Sequence, residues 1–237
     1  MNHKDTIIII PTYKEELNIG LLIEKIKNDY PDIFILVVDD SPDGLTKLAV
    51  EQVDYKKLYL ISNKTKLGRG FAVRRGFEYA LKNNFLTIIE MDSDFSHDPN
   101  ELGNMINEFN NKELDLLMGS RYLKESTIVN WPLKRILFSS MANLLAKILF
   151  SFSFSDYTNG YRIYNKNLIQ ELMKYSQINK GFLYLTETLV IANLKGFKIS
   201  ECATYFKDRG RGKSSVRLKN IYESLIGIFK IKFNRFN

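Results

Sequence analysis

Leu86-Thr-Ile-Ile-Glu-Met-Asp-Ser-Asp94 is a short apolar run that ends in two carboxylates one residue apart. The run reads as a buried strand, and acids at its end are poorly placed for packing. They suit holding a hard divalent cation against a diphosphate, because Mg²⁺ takes one or two carboxylates and fills its shell with phosphate oxygens and water. A DxD alone is also common in solvated turns, so its meaning depends on the chain around it.

Around it the first 120 residues alternate in a βα rhythm. Strands are expected at Ile7–Ile10, Ile33–Val38, Leu58–Ile61, Leu86–Met91 and Leu114–Met118. Helices are expected at Glu15–Asp29, Leu45–Val53, Arg69–Lys82 and Pro99–Asn110. Strands that are apolar throughout, separated by helical stretches, indicate an α/β domain with a mostly parallel central sheet covered by helices on both faces. Ligands of such sheets bind outside the carboxyl ends of the strands. The polar clusters lie there: Pro11-Thr-Tyr-Lys-Glu15, Asp39-Asp-Ser-Pro-Asp-Gly44, Asp92-Ser-Asp94 and Gly119-Ser-Arg-Tyr122.

At 237 residues the chain suits one domain, 1–237, with no linker or internal repeat dividing it. A single cysteine, Cys202, excludes a disulfide framework and a cysteine-rich zinc site, and two histidines argue against a histidine metal centre. The amino terminus runs straight into a strand without a secretory signal, so a cytoplasmic setting is expected. A net charge of +7 and a pI near 9.2 point to an anionic partner: nucleic acid, a phosphorylated substrate or an acidic membrane surface.

Ile136–Phe154 carries Lys147 as its only charge. Asn143, Lys147 and four serines argue against a membrane span, and a helix lying at a membrane surface fits better. An ordinary core helix is the alternative, since periodicity does not separate the two. The tail 218–236 interleaves Ile221, Leu225, Phe229 and Phe233 with Lys219, Lys230 and Arg235, and reads as a second surface helix or a packed terminal one.

Transfer of a nucleotide-linked sugar needs a pocket for base and ribose, a metal on the diphosphate, cations for an anionic acceptor, and an anomeric carbon in line with the attacking oxygen. Asp92 and Asp94 are the candidate metal ligands, with Ser96 or a water completing the shell, and Glu15 and Asp40 the candidates for ribose or base. For Asp39-Asp40 a plain turn is the competing reading.

Several segments in order carry a resemblance: Pro11-Thr-Tyr-x-Glu15 to PTYNE, Asp39-Asp-Ser-Pro-Asp-Gly44 to DD-x-SPDGT, Lys66-Leu-Gly-Arg-Gly70 to KLGLG, and Met91–His97 to MDADLSH. Gly119–Tyr122 matches GSRY. Trp131-x-x-x-Arg135 with Ser139 and Asn143 matches W…R…S…AN, Asp156–Arg162 resembles D-x-TSGFR, and Phe206–Ser214 resembles F-x-x-R-x-x-G-x-SK. Over nearly its whole length the chain resembles the dolichyl-phosphate mannosyltransferase-like group of the family 2 glycosyltransferases, which have the GT-A fold.

The resemblance implies a nucleoside pocket lined by Pro11, Tyr13, Glu15, Val38 and Asp40. It implies Mg²⁺ or Mn²⁺ on Asp92 and Asp94, with Ser93 between them in the donor site. Arg121 and Arg135, with Ser139, would meet the diphosphate and the lipid phosphate. Arg209 would close over the donor, with Lys213 nearby. The implied reaction is an inverting, metal-dependent transfer of a hexose to a polyprenyl phosphate. Mannose from GDP-mannose is the first expectation and glucose from UDP-glucose the second. Also implied is a peripheral seat on the cytoplasmic face of a membrane, reached through surface helices or a small membrane-protein partner.

The chain departs from the pattern at Lys14 (usually Asn), Leu45 before Thr46, Asn159 (Ser), Leu185 (Gln) and Ser215 (Lys). These put sugar and base specificity in question. A family 2 enzyme with a saccharide or protein acceptor and Glu187 as base is the main alternative. A basic nucleic-acid-binding protein is remote, because only Tyr205 and Phe206 flank the charges of 207–217 and the DxD goes unexplained. No nucleic-acid partner is expected.

Overall fold

Four consecutive isoleucines, Ile7–Ile10, are all fully buried, which a strand achieves only when both of its faces are covered. In the computed structural model, which describes residues 4–150, 154–175, 181, 183–208 and 227–233, they form the middle of β1 (Thr6–Thr12). There follow α1 (Ile19–Asp29), β2 (Phe34–Asp39), α2 (Leu45–Glu51), β3 (Leu58–Ser62), α3 (Arg69–Lys82) and β4 (Thr87–Glu90). A 3₁₀ turn (Pro99–Glu101) leads into α4 (Leu102–Asn111), β5 (Leu116–Ser120), β6 (Thr127–Val129) and α5 (Leu133–Phe150). Then come β7 (Arg162–Asn165), α6 (Lys166–Met173), α7 (Tyr184–Leu194), β8 (Ile199–Ala203) and β9 (Tyr205–Lys207).

Seven of these strands form one sheet in the order β3-β2-β1-β4-β7-β5-β8, while β6 and β9 pair separately. The sheet is mostly parallel, as expected. The exception is β7, antiparallel to both β4 and β5. Alternation along β1 sends Ile7 and Ile9 into the layer under α3, α6 and α7, and Ile8 and Ile10 into the layer under α1 and α4.

Two boundaries differ from the sequence expectation for a local reason. Helix α1 starts at Ile19 rather than Glu15 because Glu15 is held outside it. The Glu15 N–H donates to Thr46 Oγ1 at 3.1 Å, and Glu15 Oε2 accepts from Asn18 Nδ2 at 2.8 Å. The Pro99–Asn110 segment opens as a 3₁₀ turn, capped by Asp98 accepting from the Asn100 N–H at 2.9 Å.

Helix α5 is a core helix on one side only. Ala146 and Phe150 pack into the core, whereas Leu133, Leu137, Met141, Leu144 and Ile148 form one outward stripe, each 48% to 83% exposed. No helix among the described residues is long and apolar enough to cross a membrane. Of the tail, 227–233 is helical, with Ile228 and Ile231 in the core and Phe233 exposed; 218–226 and 234–236 lie outside the described residues.

Gly76 sets how closely α3 approaches the sheet, since a Cβ there would collide with the Ile9 side chain. Gly76→Ala should therefore cost about 1–3 kcal/mol by overpacking, seen as a Tm lowered by several degrees for a domain of this size. An unchanged melting curve would show that the layer has slack.

Candidate functional site

The carboxyl ends of β1, β2 and β4 open onto one cleft of ≈ 220 Å³. Pro11, Thr12, Tyr13 and Glu15 line it from β1, Asp40 from β2, and Asp92, Ser93, Asp94 and Ser96 from β4. Lys66, Gly68 and Arg69 enter at the start of α3, Arg135 from α5 and Phe206 from β9. Six segments distant in sequence thus converge where the strand rule places a ligand.

The loops are fixed by short polar side chains. Asp40 accepts from the Leu67 and Gly68 N–H groups, both at 2.9 Å, and from Asn63 Nδ2 at 2.7 Å, so it shapes the loop that carries Lys66 and Arg69. Asp39 is fully buried; burial pushes its carboxyl up, against hydrogen bonds from Ser41 and Thr12. Ser41 also accepts from the Lys14 N–H at 2.7 Å, and its hydroxyl meets that of Thr46 at 3.0 Å. Thr46 therefore joins the β2 turn to Glu15 despite the intervening Leu45.

The DxD loop is oriented from behind. His97, fully buried, accepts the Asp92 N–H at Nδ1 (3.0 Å), which leaves Nε2–H to donate to Asn159 Oδ1 (2.8 Å). Asn159 Nδ2 in turn donates to the Gly119 carbonyl at 2.6 Å. Burial pushes the imidazole pKa down, so the ring is neutral and this tautomer is the one the network selects. Asp94 Oδ1 accepts from both the N–H and the hydroxyl of Ser96. Asp92 is paired with Arg69, whose other arm reaches the fully buried Glu90 at 2.8 Å.

No cluster of three or more His, Cys, Asp or Glu side chains able to hold a metal occurs among the described residues. Two carboxylates and a hydroxyl on one cleft nevertheless have the right chemistry for Mg²⁺ or Mn²⁺ when a ligand's phosphates complete the shell.

Trp131 organises the other wall. The Arg135 guanidinium lies 4.5 Å from its ring centroid and that of Arg121 lies 5.1 Å away. Arg135 faces the cleft and donates to Asp208 at 2.6 Å. Arg121 sits one layer back, buried, with its fork on Asp156: Nε to Oδ2 at 2.7 Å and Nη2 to Oδ1 at 2.9 Å. Asp156 also accepts the N–H groups of Thr158 and Asn159 at 3.0 and 3.1 Å. Burial alone would raise its pKa, but Arg121's charge and these donors outweigh that and hold it below the usual carboxylate value.

Of the residues expected from sequence, Pro11, Tyr13, Glu15, Asp40, Asp92, Ser93, Asp94, Ser96 and Arg135 line this cleft. Val38 does not: it is fully buried in β2, registered with Pro11 and Ile61, because a strand interior points its side chains into the layers. Arg121 is likewise behind the cleft, held there by the buried Asp156. Ser139 is half-buried on α5, one turn beyond Arg135. Arg209 and Lys213 lie outside the described residues. Lys66 and Arg69 were given no role from sequence, although both stand in a quoted motif; the Lys66 ammonium lies 3.9 Å from the Tyr13 ring centroid.

A model of glycosyl transferase family 2 matches residues 7–173. Polyprenol monophosphomannose synthase of Mycolicibacterium smegmatis is 33% identical over 226 residues, which is 94% of this chain and 85% of that protein. Undecaprenyl-phosphate mannosyltransferase of Micrococcus luteus is 28% identical over 93% of this chain and 90% of its own length. Among solved structures, glucosyl-3-phosphoglycerate synthase from Mycobacterium tuberculosis, in complex with Mn²⁺, UDP-glucose and phosphoglyceric acid, superposes with a TM-score of 0.69 at 15% identity, covering 95% of this chain and 77% of that one. Mannosyl-3-phosphoglycerate synthase from Rubrobacter xylanophilus gives 0.66 at 17%, covering 95% and 72%. At such identities the likeness is one of fold, and that fold is GT-A.

Asp156→Asn should cost about 3 kcal/mol or more at neutral pH, because it leaves the buried Arg121 charge unpaired. The folded pKa of Asp156 lies below its unfolded value, so the pair's stabilisation is complete above the unfolded pKa and disappears as pH falls through the folded one. Urea unfolding of both proteins should therefore show a gap that closes in the acid range. A gap independent of pH would remove Asp156 as the charge partner.

Proposed function

The chain belongs to glycosyl transferase family 2, and from that premise we propose that it moves mannose from GDP-mannose to a polyprenyl phosphate at a membrane surface, with UDP-glucose as the second candidate donor. The observation that carries the reading is the cleft itself. Two carboxylates face three cationic side chains, Lys66, Arg69 and Arg135, outside the carboxyl ends of the strands. The names of the two curated relatives support a polyprenyl phosphate acceptor and mannosyl transfer.

In this reading Pro11, Tyr13, Glu15 and Asp40 hold the nucleoside. Among the described residues the cleft counts four carboxylates, Glu15, Asp40, Asp92 and Asp94, against three cations. A diphosphate entering it needs further positive charge. Asp92 and Asp94, the latter oriented by Ser96, are the residues to hold Mg²⁺ or Mn²⁺; the cation's contribution is to neutralise the diphosphate as a leaving group. Arg135 receives the acceptor phosphate and brings one of its oxygens in line with the anomeric carbon. The C–O bond to that oxygen forms as the bond to the diphosphate oxygen breaks, which inverts the anomeric centre. No general base is required, because a phosphate monoester with a second pKa near 6 is already an anionic nucleophile at neutral pH.

The same helix supplies a route to lipid. Arg135 turns into the cleft from α5, while the stripe from Leu133 to Ile148 faces outward, as a helix at a membrane surface would. The alternative of a saccharide or protein acceptor with Glu187 as base fits less well. Glu187 is buried and lines a separate cavity of ≈ 30 Å³ between α3, α6 and α7.

Labelled GDP-mannose or UDP-glucose, incubated with a polyprenyl phosphate in detergent, should give metal-dependent labelling of the lipid that EDTA abolishes. Asp92→Ala and Asp94→Ala should each remove it while leaving the fold intact. Donor hydrolysis without labelled lipid would redirect the search to another acceptor. For the surface helix, Leu137→Gln with Leu144→Gln should weaken co-sedimentation with anionic vesicles by roughly tenfold per residue, from the apolar area withdrawn from lipid. Unaltered sedimentation would take α5 off the membrane.

A further inference from the structure

Arg69 lines the cleft and touches the DxD motif directly, through Asp92. Its guanidinium uses every edge: Nη1 donates to Asp92 Oδ1, Nη2 to Glu90 Oε1 at 2.8 Å, and Nε to Tyr184 Oη at 3.2 Å. The seat is built for it. A Cβ at Gly160 would collide with the Arg69 Nη2, so the glycine leaves room for the guanidinium. Glu90 is fully buried and is further bound by the hydroxyls of Tyr184 and Tyr164. Burial disfavours a charge on Arg69, but Asp92, Tyr184 and Glu90 around it keep the guanidinium firmly protonated. The segment Lys66–Gly70 otherwise resembles KLGLG, in which leucine stands at this position.

A divalent cation on Asp92 would therefore meet a carboxylate already neutralised by a fixed positive charge, and would itself be repelled by that charge. We propose that Arg69 is a resident cation of the donor site: it shares Asp92 with the metal, lowers the affinity of the site for free metal, and binds the donor's diphosphate in part without it. The proposal rests on the reading of the cleft as a nucleotide diphosphate site. Its consequence is a site in which metal arrives mainly with the nucleotide, because phosphate oxygens restore the negative charge that Arg69 removes.

The test uses the full chain and two readouts other than turnover: Mn²⁺ binding to the nucleotide-free protein, and binding of GDP and UDP in EDTA. Wild type should bind one of the nucleoside diphosphates measurably in EDTA. Arg69→Leu should bind free Mn²⁺ at least about tenfold more tightly and the diphosphate in EDTA at least about tenfold more weakly, as expected on deleting one nearby positive charge. Because that variant leaves Glu90 buried without its cation, Arg69→Leu with Glu90→Gln is the matched control for folding. It also removes the Glu90 charge, so it should show both changes with the same sign and smaller size, since Arg69 is the group in contact with Asp92. Unchanged or weaker Mn²⁺ binding in a folded variant would overturn the proposal. So would a wild type that binds nucleotide only when metal is present, a result that needs no variant. Binding of neither nucleotide with or without Mn²⁺ would instead overturn the nucleotide-site reading beneath it.

Discussion

Glu90 is a carboxylate with no exposure at the end of a central strand, and satisfying it ties the fold to the site. Burying an ion costs several kcal/mol unless a partner and hydrogen bonds compensate. Here the compensation comes from Arg69 at the start of α3, Tyr184 at the start of α7 and Tyr164 on β7. Three elements that join the sheet from different parts of the chain are thereby pinned around β4. Asp92 lies two residues further on and shares Arg69 with Glu90, so the first acid of the DxD is positioned by the same interaction that closes the core.

A second buried carboxylate, Asp156, does the same for the opposite wall. It holds Arg121 under Trp131, and Trp131 carries Arg135 on its ring. Arg135 is thus kept at the cleft by a stacked aromatic whose own support is an ion pair one layer deeper. Arginine suits this arrangement, since its planar fork matches a carboxylate on one side and an indole face on the other. His97 and Asn159 link the two walls, running from the Asp92 backbone to the Gly119 carbonyl.

The parallel half of the sheet was legible because its strands are apolar on both faces, and Ile7–Ile10 admit little else. The helix Arg69–Lys82 was readable to the residue. Strand β7 was not: Arg162-Ile-Tyr-Asn165 is four residues long, with a buried arginine whose donors go to the Asn159, Leu185 and Tyr157 carbonyls, so it lacks an apolar signature. Motifs located the cleft, but not which charges reach it. Arg121 and Arg135 look equivalent in sequence, and it is the buried Asp156 that draws Arg121 behind the cleft while Arg135 lines it. Lys14 illustrates the reverse case: its φ of 59° is the left-handed region that asparagine tolerates better, which gives the asparagine of the PTYNE pattern a backbone reason.

Helix α5 buries one side and exposes another, which periodicity left open. A helix carrying Ala146 and Phe150 into the core has only part of its circumference left for other duties. Arg135 takes the side toward the cleft, and the remaining side carries the exposed stripe. The stripe starts within one turn of the residue proposed to receive a phosphate. A polyprenyl phosphate has the matching layout, since its charged head sits at the surface of the layer that holds its chain. If α5 rests on that surface, the head reaches Arg135 without the chain leaving lipid, and no deep acceptor tunnel is needed. Such a design requires no spanning helix, because contact along one face is enough to bring the two phosphates together.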